Sequence, residues 1–320
     1  MIEPGGISSW EEYKSASRTN RGAPLGARQR QTLWAVFESA RNTLAERGLT
    51  TWEQLCFEAA KAVGGGACQF RYVIADEYQD LGPAELRFLK SLVPNKDNNL
   101  FLCGDSGQRI YKGPVSWLSL GLDVRGRSTS LNVNYRTTEQ IRRFADRILG
   151  DCPDASTGEA ENRRSVSLLR GPEPHVHAFG TVAEEIAGVA KAISGLLAEG
   201  YRPQDIAVFV HGQAQLEKRA EPACKAAGVT CRELSDESPL SGSDVSVGTM
   251  HRAKGLEFKA VVVMGCDDKM LPMRAVLDKL SDSADRGAFI EQERRLFYVA
   301  CTRARERLLV THSGPKSRFL

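Results

Sequence analysis

Between residues 28 and 47 the apolar positions Leu33, Val36, Phe37, Ala40 and Leu44 return at helical spacing and stop before Gly48. That pattern predicts an amphipathic helix closed by a glycine. Thr51, with Gln54 three residues on, predicts the start of a second helix that ends at Gly64-Gly65-Gly66. The period then changes. Residues 70–75 and 100–103 read as strands with a helix at 83–92 between them, and 130–135 reads as a strand leading into a helix at 138–149. A polar stretch at 151–164 reads as a loop. In the second half, strands are expected at 175–179, 206–210, 245–249, 259–265 and 307–311, and helices at 182–199, 213–227 and 289–304. Short apolar strands alternating with longer helices predict an α/β fold whose parallel sheet is covered on both faces. Residues 1–27, polar and rich in Gly, Ser and Arg, read as a tail.

Composition narrows this picture only a little. A chain of 320 residues with 42% apolar and 26% charged positions is an ordinary globular protein of about two domains. A net charge of +3 is too small to identify a partner, so any nucleic-acid surface must be a local patch. The core run Ala260 to Met264 suits a buried strand, and no stretch approaches the ~18 apolar residues of a membrane span. The start, Met-Ile-Glu-Pro-Gly-Gly, shows no secretory signal. The eight cysteines form no C-x-x-C pair, and free thiols in a reducing cytoplasm are expected. His175 and His177 alternate on one strand with no further ligand nearby in sequence, so no metal site is expected there.

The candidate chemistry sits at strand ends, where open α/β sheets bind ligands. Asp76 and Glu77 directly follow the apolar run 70–75. An acidic pair at such a place is costly unless it holds a cation or a reacting water, roles an Asp and a neighbouring Glu can divide. The strand at 100–103 ends in the same way, in Gly104-Asp105-Ser106-Gly107-Gln108-Arg109-Ile110-Tyr111, where Gln108 can sense a phosphate by hydrogen bonding. An arginine-rich run (Arg294, Arg295, Arg303, Arg305, Arg307) taken alone reads as the solvated face of a helix.

Taken together, these segments resemble the C-terminal part of a superfamily 1 helicase of the UvrD/Rep/PcrA type. Five motifs of that family occur in order: Asp76 to Asp80 is similar to motif II, Gly104 to Tyr111 to motif III, Asn134-Tyr135-Arg136 to motif IV, Thr249 to Phe258 to motif V, and Glu293 to Ala304 to motif VI. The likeness covers about residues 70–312. It implies a RecA-like P-loop NTPase fold: an N-terminal tail and helical remnant at 1–66, the C-terminal part of one motor domain at 67–126, and a complete second motor domain at 127–320. It also implies ATP and Mg²⁺ as cofactors, with Asp76 on Mg²⁺, Glu77 activating water and Gln108 coupled to the γ-phosphate. Tyr135 stacks on adenine, Arg136 and Arg303 reach the γ-phosphate, Gly255 and Glu257 line the nucleotide, and Glu257 bonds the ribose. Tyr111, Trp117, Thr249 and His251 face single-stranded or partially duplex DNA, on which the family moves 3′→5′.

The family's P-loop, G-x-x-x-x-G-K-[ST], has no match in these residues, and the 113 residues from Arg136 to Thr249 leave little room for a 2B subdomain. The chain therefore reads as a C-terminal fragment, inactive alone. A silent DNA- or helicase-binding module, and one half of a split motor completed in trans by the missing half, stand as alternatives.

Overall fold

The computed structural model describes residues 6–16, 26–64, 70–94, 98–111, 117–150, 165–235 and 242–320. The expected loop at 151–164 lies outside them. Two units are separable by their internal contacts, one built from residues before Thr129 together with Asp282–Asp285, the other from the remainder.

The first unit opens with three helices, α1 (Trp10–Ser15), α2 (Ala27–Glu46) and α3 (Trp52–Gly64). The supposed tail thus contains a helix. Ser9 accepts from the Glu12 backbone while the Glu12 carboxylate accepts from Ser9, a reciprocal cap. Trp10 and Tyr13, one turn apart, give α1 an aromatic face, and Tyr13 stacks on Trp34 of α2 at 5.7 Å. The Arg30 guanidinium closes the end of α1 by donating to the carbonyls of Tyr13, Lys14 and Ala16 at 3.0, 2.9 and 3.1 Å. At α3 the cap is one-way: Thr51 accepts from the Gln54 backbone at 3.2 Å, but the Gln54 side chain turns to Glu58.

Two short strands follow, β1 (Val73–Ala75) and β2 (Leu100–Leu102), on either side of α4 (Pro83–Ser91). They pair in parallel with Ile74 opposite Phe101. One face packs on a cluster of Leu81, Leu86, Leu102, Leu120 and Leu122. The other face is bare: Ile74 is 76% and Phe101 61% exposed. The expected strand from 70 is shorter because only Val73–Ala75 find ladder partners; Phe70 and Tyr72 lie outside the ladder and exposed.

The second unit holds β3 (Val133–Thr138), α5 (Glu139–Leu149), β4 (Val166–Leu169), β5 (His175–Phe179), α6 (Val182–Ala198) and β6 (Ile206–Val210). A helical segment α7 at 213–226 contains a π-turn, Leu216–Ala220. Then come β7 (Cys231–Glu233), β8 (Val245–Thr249), β9 (Phe258–Val263), α8 (Arg274–Leu277), α9 (Ser283–Thr302) and β10 (Ala304–Ser313). Six strands form one all-parallel sheet in the order β5-β10-β9-β6-β8-β7. Every residue of β6 is fully buried, and Val189, Ile193, Leu216 and Ala220 from α6 and α7 cover it. β3 and β4 make a separate parallel pair, to which α5 is fastened by Glu139. The Glu139 carboxylate accepts from Arg142 and Arg143, each at 2.7 Å, and from the Ser167 backbone at 2.9 Å. With Arg142 the leading cause, its pKa is held down at about 2.

At the carboxyl ends of β9 and β10 lies a buried ionic network. Glu185 of α6, fully buried, accepts from Arg219, from the Thr311 hydroxyl at 2.6 Å and from the Gly265 backbone at 2.9 Å. Arg219, carried on the π-turn, also donates to Gln215 at 2.8 Å, Ser313 at 2.9 Å and Asp267 at 3.4 Å. Among the described residues no helix is long and apolar enough to cross a membrane.

Candidate functional site

In the first unit the groups converge where β1 and β2 end. Asp76, exposed, accepts from the Glu77 backbone at 2.8 Å and from the Cys103 thiol at 3.2 Å. The first of these bonds, then the second, holds its carboxyl below the ordinary carboxylate range. The carboxylate is thus kept ionised on an open edge, which suits a hard cation such as Mg²⁺. In return Asp76 raises the Cys103 thiol. Glu77 adopts a left-handed backbone (φ 53°), uncommon for a side chain of its kind, and starts the turn Tyr78–Asp80.

Behind these two carboxylates lies Gln79, 1% exposed. Its amide N–H donates to the Glu77 carboxylate, and its carbonyl accepts from the Asp105 backbone at 3.1 Å. Asp105 in turn accepts from the Gly107 backbone and the Gln108 side chain, both at 2.9 Å. Glu77, Gln79, Asp105 and Gln108 therefore form one continuous hydrogen-bonded run. Gly104 makes it possible: a Cβ there would lie 2.1 Å from the Gln79 amide oxygen. Tyr111 is 56% exposed. Trp117 is 5% exposed and packs edge-on to Tyr78 at 5.1 Å.

In the second unit the expected residues fall at opposite ends of the sheet. Those assigned to the nucleotide sit on β3 and at the amino ends of β9 and β10. The Asn134 side chain fixes the backbone of β3 by accepting from Arg136 at 2.7 Å and Thr137 at 3.1 Å. Tyr135 stands 70% exposed beside it. Arg136 pairs with Glu257 at 2.8 Å, and Arg305 approaches the same carboxylate at 3.5 Å. Gly255, exposed, turns the loop before β9 through φ 79°. The helix expected to carry Arg303 ends at Thr302, one residue short of it, and Arg303 is 2% exposed. Its guanidinium donates to the carbonyls of Val299 at 3.1 Å and Leu256 at 3.3 Å and to the Thr302 hydroxyl at 3.3 Å. Arg305 and Arg307, read as a helix face, lie on β10.

Thr249, the last residue of β8, and His251, just past it, lie at the other end of the sheet. Burial, then the neighbouring His211, pushes the His251 imidazole below its ordinary pKa against a smaller upward pull from Glu293. His211 lies 2.7 Å from Glu293 and 6.5 Å, ring to ring, from His251. Glu293 also accepts from the Met273 backbone at 2.9 Å. The sequence pattern alone did not single out His211, Gln79 or Arg305. Gln79 could have been found, since it lies within the same acidic run as Asp76 and Glu77.

Parallel α/β units with an acidic pair at one strand end and arginines gathered at another define the RecA-like helicase fold. The UvrD/REP helicase N-terminal domain family matches residues 8–113, and the UvrD-like helicase C-terminal domain family matches residues 227–314. The chain belongs to the UvrD-like superfamily 1 helicases. It is 24% identical to the ATP-dependent DNA helicase UvrD2 of Mycobacterium tuberculosis (strain H37Rv), over 96% of this chain and 58% of the relative. To a probable DNA helicase of Mycoplasma pneumoniae it is 25% identical, over 77% of this chain and 44% of the relative. The chain thus spans less than two thirds of the length of these curated relatives. The match to UvrD2 extends over 409 residues, more than the 320 here, so segments of the relative have no counterpart in this chain. Among solved structures, the C-terminal domain of a possible DNA helicase from Lactobacillus plantarum WCFS1 is 24% identical over 58% of this chain and 91% of that one, with a TM-score of 0.42.

Proposed function

We propose that this chain carries ATP-hydrolysing and DNA-contacting parts of a helicase motor that moves 3′→5′ on single-stranded or partially duplex DNA. The observation that carries the reading is the hydrogen-bonded run from Glu77 through Gln79 and Asp105 to Gln108, which ties a water-activating group to a phosphate-sensing one. In this reading Asp76 takes the Mg²⁺ of bound ATP, Glu77 accepts a proton from the attacking water, and Gln108 reads the γ-phosphate. Tyr135 stacks on adenine, Glu257 bonds the ribose, and Gly255 lets the loop approach. Arg136 and Arg303 stabilise the charge spread over the transferred phosphoryl oxygens, Arg303 after release from its carbonyls. Thr249, His251 and Tyr111 meet the DNA strand; Trp117 joins them only by leaving Tyr78.

No P-loop sequence occurs in the 320 residues. The chain alone accordingly turns over ATP negligibly, and the phosphate cradle comes from another element. The bare apolar face of β1 and β2 favours a second reading, a split motor in which a separate P-loop chain covers that face. A silent binding module is disfavoured, because it needs neither a water-activating Glu77 nor phosphate-reaching arginines.

The test pairs ATP turnover, with and without single-stranded DNA and beside Glu77→Gln, with strand binding by fluorescence anisotropy across a salt series. Salt-sensitive, sequence-independent binding that weakens in Thr249→Ala/His251→Ala, with negligible turnover, supports the reading. No strand binding at low salt refutes it. DNA-stimulated turnover that Glu77→Gln abolishes keeps the motor and refutes the need for an outside cradle.

A further inference from the structure

We infer that Arg305 is a further phosphate-contacting residue for a nucleoside triphosphate, set beside Arg136 by a bulge in β10; the inference rests on the ATP reading above. Between the pairs Ala304–Phe258 and Arg307–Ala260, β10 advances three residues while β9 advances two. One extra residue therefore sits in β10 between Ala304 and Arg307, the interval that contains Arg305. Such bulges re-aim side chains at the rims of sheets. Here the re-aimed guanidinium comes to the Glu257 carboxylate, at 3.5 Å, while Arg136 holds the other oxygen of that carboxylate at 2.8 Å.

Three features separate this pair from Arg303. The side chains of Arg136 and Arg305 are 54% and 43% exposed, whereas Arg303 is 2% exposed. Arg303 already donates to three oxygens of its own surroundings. The Arg305 Nε is shielded from solvent and has no hydrogen-bond partner among the described residues. A buried donor left unmatched is costly, and a ligand that supplies an acceptor there recovers that cost.

The chemistry of the site selects the ligand. Two guanidinium forks converging on one carboxylate are an anion site temporarily filled by Glu257. A triphosphate tail brings more charge and more acceptor oxygens than one carboxylate and competes for both forks. Its arrival frees Glu257, one residue before β9, to bond the ribose hydroxyls of the same nucleotide. The exposed Tyr135 ring supplies a stacking surface for the base. Glu257 is thus the occupant that the nucleotide replaces.

The test titrates the full chain with a fluorescent ATP analogue at low ionic strength and competes it with ATP, ADP, AMP and inorganic tripolyphosphate. Arg305→Ala is expected to weaken ATP and tripolyphosphate roughly tenfold and leave AMP unchanged, with Arg305→Lys recovering part of the loss. A second measurement follows the arginine Nε–H signals of ¹⁵N-labelled chain. The Arg305 signal, identified by its absence from Arg305→Lys, shifts when ATP is added. If Arg305→Ala binds ATP as tightly as the parent while Arg136→Ala loses it, the assignment of Arg305 is overturned and the ATP reading stands. If the parent chain binds neither ATP nor tripolyphosphate, the anion site at Glu257 and the assignment of Arg305 are overturned, while the ATP reading, whose cradle lies outside this chain, is not.

Discussion

Removal of Arg219 tests what holds the second unit together. Its guanidinium serves two carboxylates that are almost out of solvent, Glu185 at 0% and Asp267 at 5% exposure. Arg219→Met keeps the length and apolar stem of the side chain but strands both acids. Breaking a buried pair by removing one partner costs about 3–5 kcal/mol. In a unit of this size each kcal/mol lowers the melting temperature by about 2–4 °C, so a fall of about 10 °C is expected. Burial already raises the Asp267 pKa, and Arg219 pulls it down. Without the arginine the folded acid binds its proton more tightly than the unfolded one, so the variant's stability falls as pH rises. The deficit is therefore largest near pH 8 and shrinks toward pH 5.

The probes can be kept apart. All four tryptophans (Trp10, Trp34, Trp52, Trp117) precede Thr129, so tryptophan fluorescence reports the first unit, while far-ultraviolet circular dichroism reports both. Urea unfolding of Arg219→Met should shift the dichroism transition and leave the fluorescence transition in place. The triple variant Glu185→Leu/Arg219→Met/Asp267→Asn, which removes the charges together, should regain most of the loss. A single-variant deficit below about 1 kcal/mol, or one that does not change with pH, refutes the reasoning.

Further expectations follow from other features. Gly104→Ala drives a Cβ against the Gln79 amide and the Tyr78 ring, and should cost about 1–3 kcal/mol in the fluorescence transition. Ile74→Thr/Phe101→Ser touches a bare face; stability should change by less than about 1 kcal/mol while self-association at high concentration, read by light scattering, declines. Glu139, held at a pKa of about 2, contributes stability that is present above about pH 5 and lost as pH falls toward 2. Glu139→Gln should flatten that acid limb of the stability curve, measured by dichroism.

Much of the arrangement is legible before any coordinates. The apolar runs of β6, β8 and β9 and the helical spacing in α5 mark their elements within a few residues, because burial on both faces or on one stripe leaves a strong pattern; α2 also forms where its spacing predicts, although Leu33, Val36 and Ala40 are exposed and only Trp34 is buried. The strand-end placement of Asp76 and Glu77 follows from the apolar run of β1, and that of Gln108 from β2. Other features depend on partners distant in sequence. β7 has three residues and β4 four, too few for a periodic signal. The segment Ala304–Arg307 has the charges of a helix face, and only its ladder with β9 makes it a strand. No local pattern tells that Trp117 packs on Tyr78 or that Arg303 turns inward. Trp10 and Tyr13 were hidden in a polar stretch whose helix forms because Trp34 offers them a surface.

The long helix α9 runs between the two ends of the sheet's strands. Glu293, bonded to His211 at the strand ends that also hold His251, and Arg303, just past the last turn, are ten residues apart on one rod, about 15 Å along its axis. A helix is stiff to axial compression. The spacing between Glu293 and the backbone that carries Arg303 is therefore fixed by the helix itself. The helix is a ruler between the two rims, and a glycine pair introduced near Val299 would loosen that spacing without removing either end.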